Sequence, residues 1–192
     1  MTALWSAVWV GEMFRCGVSF AAQWDLLTVT PEGGHGLLYF RPTPCVPNAQ
    51  YWAMYLWSRH MGSKLVQTSL TGSSSIYATA TLSDDTLHVM LVNLSREDAA
   101  TVAIQANGVA TKGYMQETTF SHREYLWNPY RHAAEWSLPP STREVELSAG
   151  PAIEVPPFAV KVIEIPLAGA LTERAQSGRT AQTGSYLDLL LP

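Results

Sequence analysis

The sequence predicts a mainly β chain, an antiparallel β-sandwich preceded by a helix–strand–helix segment, on two observations. From Lys64 to Pro166 short β-type runs follow one another: "KLVQTSL", "SIYATATLS", "TLHVMLVNLS", "ATVAIQA", "TKGYMQETTF", "REVELS" and "FAVKVIEIP". Turn signals separate them at Gly72-Ser73, Asp84-Asp85, Asn107-Gly108 and Pro156-Pro157. Strands at that spacing, with no helical repeat between them, build a sandwich. Ahead of Gly62 the texture is different, because apolar residues there recur at helical spacing around one short alternating run. The chain divides accordingly into 1–62, 63–167 and a remainder, 168–192.

Residues 3–15 carry Leu4, Trp5, Val8, Trp9, Val10, Met13 and Phe14 almost all round, the pattern of a helix covered on most sides. Gly17 is placed as its C-cap. Val18, Phe20 and Ala22 then alternate with Ser19, Ala21 and Gln23 ahead of Trp24, which predicts a buried strand over 18–25. A loop with Pro31, Gly33, Gly34 and Gly36 follows. Asn48 stands as an N-cap ahead of Tyr51, Met54, Tyr55, Trp57 and His60 at helical spacing, so a second helix runs over 48–60 and ends at Gly62. In the sandwich, Val89, Leu91, Phe158, Val160 and Val162 are the expected core. Ser121 to Pro140, with "SHREYLWNPYRHAAEW", reads as a long connection over one edge. The stretch after Ala168 has no strand period and is expected to be a partly disordered tail.

Composition limits the function. With 192 residues and 47% hydrophobic content the chain can bury a sizeable core. Net charge is −4 and the cations are scattered, which argues against nucleic acid and against a polybasic membrane patch. No apolar run reaches the roughly 18 residues of a membrane span. Glu12 and Arg15 interrupt the early apolar stretch and no cation precedes Leu4, so no signal peptide is recognised and a soluble protein is expected. Cys16 and Cys45 are too few for a disulfide framework and read as buried thiols. "TGSSS" lacks the surroundings of a nucleophile elbow, and the histidines at 35, 60, 88, 122 and 132 form no HExxH or similar pair. No metal or cofactor is expected.

The succession "ALWSAVWVGEMFRCGVSFAAQWDLL", "YWAMYLWSRHMGSKLVQTS", "TLHVMLVNLS" and "IEVPPFAVKVIEIP" resembles the C-terminal third of retaining clan A glycoside hydrolases. The likeness is nearest to families 39 and 51, the β-xylosidases and α-L-arabinofuranosidases, with families 44 and 30 as neighbours. It implies that residues 3–15, 18–25 and 48–60 are the seventh helix, eighth strand and eighth helix of a (β/α)₈ barrel, and that 63–167 is the sandwich behind it. The two catalytic carboxylates of such enzymes, about 5 Å apart, stand at the ends of the fourth and seventh strands, outside the matching residues. No catalytic residue is therefore assigned; Glu12 lies within the first helix.

What the resemblance does carry over is the end of the eighth strand. Trp24 matches the aromatic that floors the sugar pocket, its alternative being a core tryptophan, and Gln23 and His35 are placed to reach sugar hydroxyls unless they are plain surface polar groups. Asp25 is an orienting group at most. The implied function is a catalytically incomplete part of a glycoside hydrolase acting on plant-type polysaccharide or oligosaccharide. The alternative is a stand-alone carbohydrate-binding or interaction module, with Trp127, Tyr130 and Trp136 as a sugar platform or as a cap over the core. A third reading assembles a site of its own from Asp84, Asp85, Glu117 or Glu124. The expected partners are carbohydrate and either a second copy or a missing barrel portion, since a lone strand leaves its edges bare and Trp5, Trp9 and Phe20 uncovered.

Overall fold

Helix α1 runs Thr2–Arg15 and stops as its glycine dictates. Gly17 has φ 68°, its N–H donates to the Phe14 carbonyl at 3.1 Å, and the Val18 N–H donates to the Met13 carbonyl at 3.0 Å. That pair of bonds is a Schellman ending, which needs a residue without a Cβ at the left-handed position. The computed structural model describes residues 2–28, 35–40, 45–72, 74–106, 111–147, 152–168 and 186–190. The all-round cover expected for α1 is not found. It buries one stripe, Ala3, Leu4, Ser6, Ala7 and Gly11, and leaves Trp5 and Phe14 exposed.

The strand expected over 18–25 does not form. A strand exists through its ladder, and among the described residues no strand pairs with 18–24. Phe20 is 84% and Trp24 82% exposed, so Trp24 is no core residue. The Trp24–Asp25 peptide is cis. Pairing starts where a partner does. The carbonyls of Asp25, Leu26 and Thr28 accept from Leu37, Leu38 and Phe40 at 2.9 Å. Strand β1 (Leu27–Thr28) thus lies parallel to β2 (Leu38–Tyr39), which pairs antiparallel with β3 (Val46–Pro47). Cys16 and Cys45 are exposed rather than buried, because each lies in a connection, one past α1 and one ahead of β3. Pro31, Gly33 and Gly34 lie outside the described residues.

Helix α2 (Ala49–His60) begins after Asn48, whose backbone is extended as in a cap but whose side chain makes no cap bond. It buries Ala49, Trp52, Ala53, Leu56 and Trp57. The strands that follow are β4 (Lys64–Thr71), β5 (Ile76–Leu82), β6 (Thr86–Asn93), β7 (Ala100–Ala106) and β8 (Tyr114–Phe120). After them come β9 (Tyr125–Asn128), β10 (Ala133–Ser137), β11 (Ser141–Glu146), β12 (Ala152–Val155), β13 (Val160–Pro166) and β14 (Tyr186–Leu190). Nine of these form one sheet in the order β11-β8-β13-β6-β5-β4-β14-β7-β12, while β9 and β10 make a separate two-stranded ribbon.

The central strands β6 and β13 are covered on both faces, which is why "LHVMLVN" and "AVKVIEI" are near-continuous apolar runs. On one face Val89, Leu91, Ile163 and Ile165 share a core with Ile76 and Ala78 of β5, Met115 of β8, Val102 of β7, and Ile153 and Val155 of β12. On the other, Met90, Val92, Val160, Val162 and Phe120 receive the buried stripes of α1 and α2. Val89, Leu91, Val160 and Val162 are fully buried as expected, but Phe158 is only half-buried, at φ 52° in the turn ahead of β13. Strand β4 pairs with β5 through Lys64–Val66 and with β14 from Gln67 to Thr71, so it passes from one part of the sheet to the other.

Strand β14 is a departure from the expected tail: Tyr186–Leu190 fills the gap between β4, to which it is parallel, and β7, to which it is antiparallel. Two bare edges recruit a segment whose only strand signal is its alternating "YLDLL". Residues 169–185 lie outside the described ones. Among the described residues no helix is long and apolar enough to cross a membrane.

Candidate functional site: a tryptophan-floored cleft

Gln23, Trp24 and His35 line one cleft of about 340 Å³, together with Trp5, Ser6 and Trp9 of α1 and Gln50 of α2. Trp5 and Trp9 stack on each other with centroids 5.3 Å apart. What holds the walls in place is Gly36. Its N–H donates to Thr28 Oγ1 at 2.8 Å, and its carbonyl accepts the side-chain amides of Asn48 and Gln50, each at 2.8 Å. Thr28 Oγ1 in turn donates to Asp25 Oδ1 at 3.3 Å. A Cβ on residue 36 would stand 2.5 Å from Thr28 Oγ1 and 2.7 Å from the Thr28 backbone nitrogen, a space that only glycine fits. Asn48 therefore gives up the cap role to tie the loop to the helix. Thr28, Gly36, Asn48 and Gln50 were not singled out as site residues by the sequence reading; "GGHG" beside "PNAQ" was the available signal.

Gln23 Nε2 donates to the carbonyls of Trp24, at 2.9 Å, and His35, at 3.3 Å. Both of its amide hydrogens are spent on backbone, which leaves Oε1 as the atom able to meet a hydroxyl. An exposed indole face beside an amide oxygen and an imidazole can stack on a sugar ring and bond its hydroxyls. Among the described residues no carboxylate lines this cleft. Glu12 pairs with Arg15 at 3.0 Å on the helix surface, and Asp25 is engaged by Thr28.

The three aromatics of the expected platform are not brought onto one face. In the β9–β10 ribbon Trp127 is opposite Ala134 and Trp136 opposite Leu126, so successive pairs turn the two tryptophans to opposite sides. Trp136 Nε1 donates to the Arg123 carbonyl at 3.1 Å. Tyr130 stands 94% exposed at the tip, where Asn128 Oδ1 accepts from the N–H groups of Tyr130 and Arg131.

Three of the four carboxylates of the third reading, Asp85, Glu117 and Glu124, have structural partners. Glu117 Oε2 accepts from Lys161 Nζ at 2.9 Å and from Arg143 Nε at 2.9 Å and Nη2 at 2.7 Å. Burial pushes the Glu117 carboxyl up, but the hydrogen bonds and charges of Lys161 and Arg143 outweigh it and hold it below its ordinary value. Glu124 accepts from the Ser121 N–H and Oγ at 2.8 Å, closing a turn. Asp85 accepts from Thr86 Oγ1 at 3.0 Å in the β5–β6 turn, which Asp84 shares. At the end of α2, His88 Nδ1 lies 2.8 Å from the His60 carbonyl and His88 Nε2 2.8 Å from Ser83 Oγ. Burial lowers the His88 pKa despite the nearby Glu164.

No protein-family model matches the sequence, and no curated protein matches it. Solved structures do match by fold. The α-L-arabinofuranosidase of Thermotoga maritima, solved with arabinose, superposes with a TM-score of 0.65 at 16% identity over 86% of this chain and 38% of its own. The family 51 arabinofuranosidase of Xanthomonas axonopodis pv. citri gives 0.61 at 13% over 85% and 35%. The family 30 subfamily 8 xylanase of Clostridium acetobutylicum gives 0.61 at 11% over 86% and 38%. The chain thus spans little more than a third of the length of these enzymes. The resemblance to a C-terminal part of clan A glycoside hydrolases, read from the order of the elements, is matched by the fold.

Proposed function

We propose that this chain is the C-terminal part of a carbohydrate-active glycoside hydrolase, made of the last two helices of a (β/α)₈ barrel, the segment between them that becomes a strand only when the rest of the barrel pairs with it, and the β-sandwich behind. In this reading it contributes the strand-end floor of a sugar pocket, and both catalytic carboxylates come from outside the residues it matches. The observation that carries the reading is the meeting of Trp24, Gln23 and His35 in one cleft with the indole exposed, on a fold shared with arabinofuranosidases and a xylanase. The substrate class is a pentose-rich plant polysaccharide or oligosaccharide. Trp24 stacks on a ring face, Gln23 Oε1 accepts a hydroxyl, and the His35 imidazole meets another. The uncovered faces of Trp5 and Phe20 dock on the remaining barrel strands, or on a second copy where those are missing.

Two assays test this on the 192-residue chain. Hydrolysis of a panel of nitrophenyl glycosides and of arabinoxylan is expected to be nil. Retention on arabinoxylan is expected, and Trp24→Ala is expected to weaken it. Turnover by the chain alone overturns the claim of catalytic incompleteness, and retention that Trp24→Ala leaves unchanged overturns the assignment of the pocket floor.

A further inference from the structure

A second cleft, of about 450 Å³, opens between the first turns of α1 and α2 and the β9–β10 ribbon. Its size is that of a small-ligand pocket. Three observations say what it takes. First, Trp127 offers a ring that is 39% exposed, on a wall mainly apolar and aromatic, with Tyr125 and Phe120 beside it. Second, Tyr125 lines the cleft beside Ala49 at the start of α2, and its phenol O–H is a group able to donate to a hydroxyl. Third, Thr2 and Gln50 line both this cleft and the one that holds Trp24, so the two adjoin.

The wall is also held rigidly. Trp52 Nε1 donates to Ser137 Oγ at 2.9 Å, and Ser137 Oγ donates to the Pro47 carbonyl at 2.7 Å. Ser137 pairs with Tyr125 in the ribbon, two positions from Trp127 and on the same face. The aromatic side of the ribbon is thereby pinned to α2 before any ligand arrives, and such preorganisation raises affinity by reducing what must be ordered on binding.

We propose that this cleft is a distal sugar subsite, in which Trp127 and the Tyr125 hydroxyl take a further ring of the oligosaccharide whose end ring stacks on Trp24. A pyranose has an apolar face and hydroxyl edges, and the cleft supplies an aromatic face with a phenol donor beside it. The inference rests on the carbohydrate reading of the Trp24 cleft and extends it along the ligand.

The test is the affinity of the chain for xylo- and arabino-oligosaccharides from dimer to hexamer, measured by calorimetry on the parent, Trp127→Ala, Tyr125→Phe and Trp24→Ala. Affinity of the parent is expected to climb with length by roughly threefold to tenfold in total, the scale of one ring-stacking contact. Trp127→Ala should flatten the climb and leave the dimer unaffected. Tyr125→Phe, which keeps the ring, should lose part of the climb. Trp24→Ala should weaken every length. A full climb in both Trp127→Ala and Tyr125→Phe overturns the subsite and leaves the Trp24 reading intact. A climb lost in Trp127→Ala with no effect of Trp24→Ala keeps the sugar site and overturns the Trp24 reading. No binding at any length overturns both. A Trp127 fluorescence response to an anilinonaphthalene dye but to no oligosaccharide makes the cleft an apolar docking groove and overturns the subsite.

Discussion

Segment 18–24 and strand β13 look alike in sequence and differ in structure. "VSFAAQW" and "VKVIEIP" are both short, β-rich in character and flanked by turn signals. Strand β13 has β6 on one side and β8 on the other and is buried along most of its length. The earlier segment has no partner among the described residues, and its Phe20 and Trp24 are more than four-fifths exposed. The difference teaches that alternation is a preference for a face, whereas a strand also needs edges to bond to. In β13 both requirements are met within the chain. In 18–24 only the first is.

The largest break of this comparison should come from charge buried beside β13. Glu117→Leu leaves the Lys161 ammonium, 3% exposed, without its carboxylate, and is expected to cost roughly 3–5 kcal/mol in urea unfolding. The double variant Glu117→Leu with Lys161→Met should recover most of that loss, since an apolar pair of similar volume carries no desolvation penalty. A double variant as unstable as the single one would show that the pair is needed for more than its mutual neutralisation.

Next in size is packing. Ile163→Ala, fully buried in the core that β6 and β13 share with β5, β7, β8 and β12, is expected to cost about 2–5 kcal/mol. An effect near zero would mean that the centre of the sheet can collapse around the void. Gly36→Ala tests the junction of the two regions, because its methyl would press on Thr28 and Asp25. Overpacking of that kind costs about 1–3 kcal/mol, and here it should also weaken sugar retention by pushing apart the hydrogen bonds that set Trp24 against Gln50.

The sequence made the paired region legible and the unpaired one misleading, for physical reasons. The runs at β4–β8, β11 and β13 carry their own burial pattern, so their positions could be read directly. Strands β9, β10 and β12 are short, and β14 exists because β4 and β7 leave a place for it, which no local pattern records. The site was half legible. Trp24, Gln23 and His35 came from a resemblance and do meet in one cleft. The Gly36 hub that holds them depends on contacts across 8 to 14 residues of chain, which composition does not show. Trp127 and Trp136 looked equivalent in sequence, and only the ribbon register separates them.

A smaller effect sharpens the comparison through pH. His88 sits in the paired region with its pKa lowered by burial. A base whose folded pKa lies below its unfolded value contributes stability above the unfolded value, about 6.5, and loses it as pH falls through the window beneath. Glu117, also lowered, adds a second loss within and below the ordinary carboxylate range. Stability is therefore expected to fall in two stages on acidification, and His88→Gln should remove the first. A single stage confined to the carboxylate range, in the parent as in the variant, would refute the His88 contribution.

The smallest change in stability is expected where the exposed segment itself is altered. Phe20 is 84% exposed, so Phe20→Ser removes almost no burial from the folded chain and should change unfolding free energy by less than about 0.5 kcal/mol. Its effect should appear in association instead. Phe20, Trp24 and Leu26 give one segment three exposed apolar side chains, and apolar surface left uncovered in water finds a partner. Sedimentation of the parent at rising concentration is expected to show dimers or larger species, and Phe20→Ser should shift them toward monomer. A monodisperse parent monomer at high concentration would mean that this face is tolerated in water, and would remove the ground for calling it a docking surface.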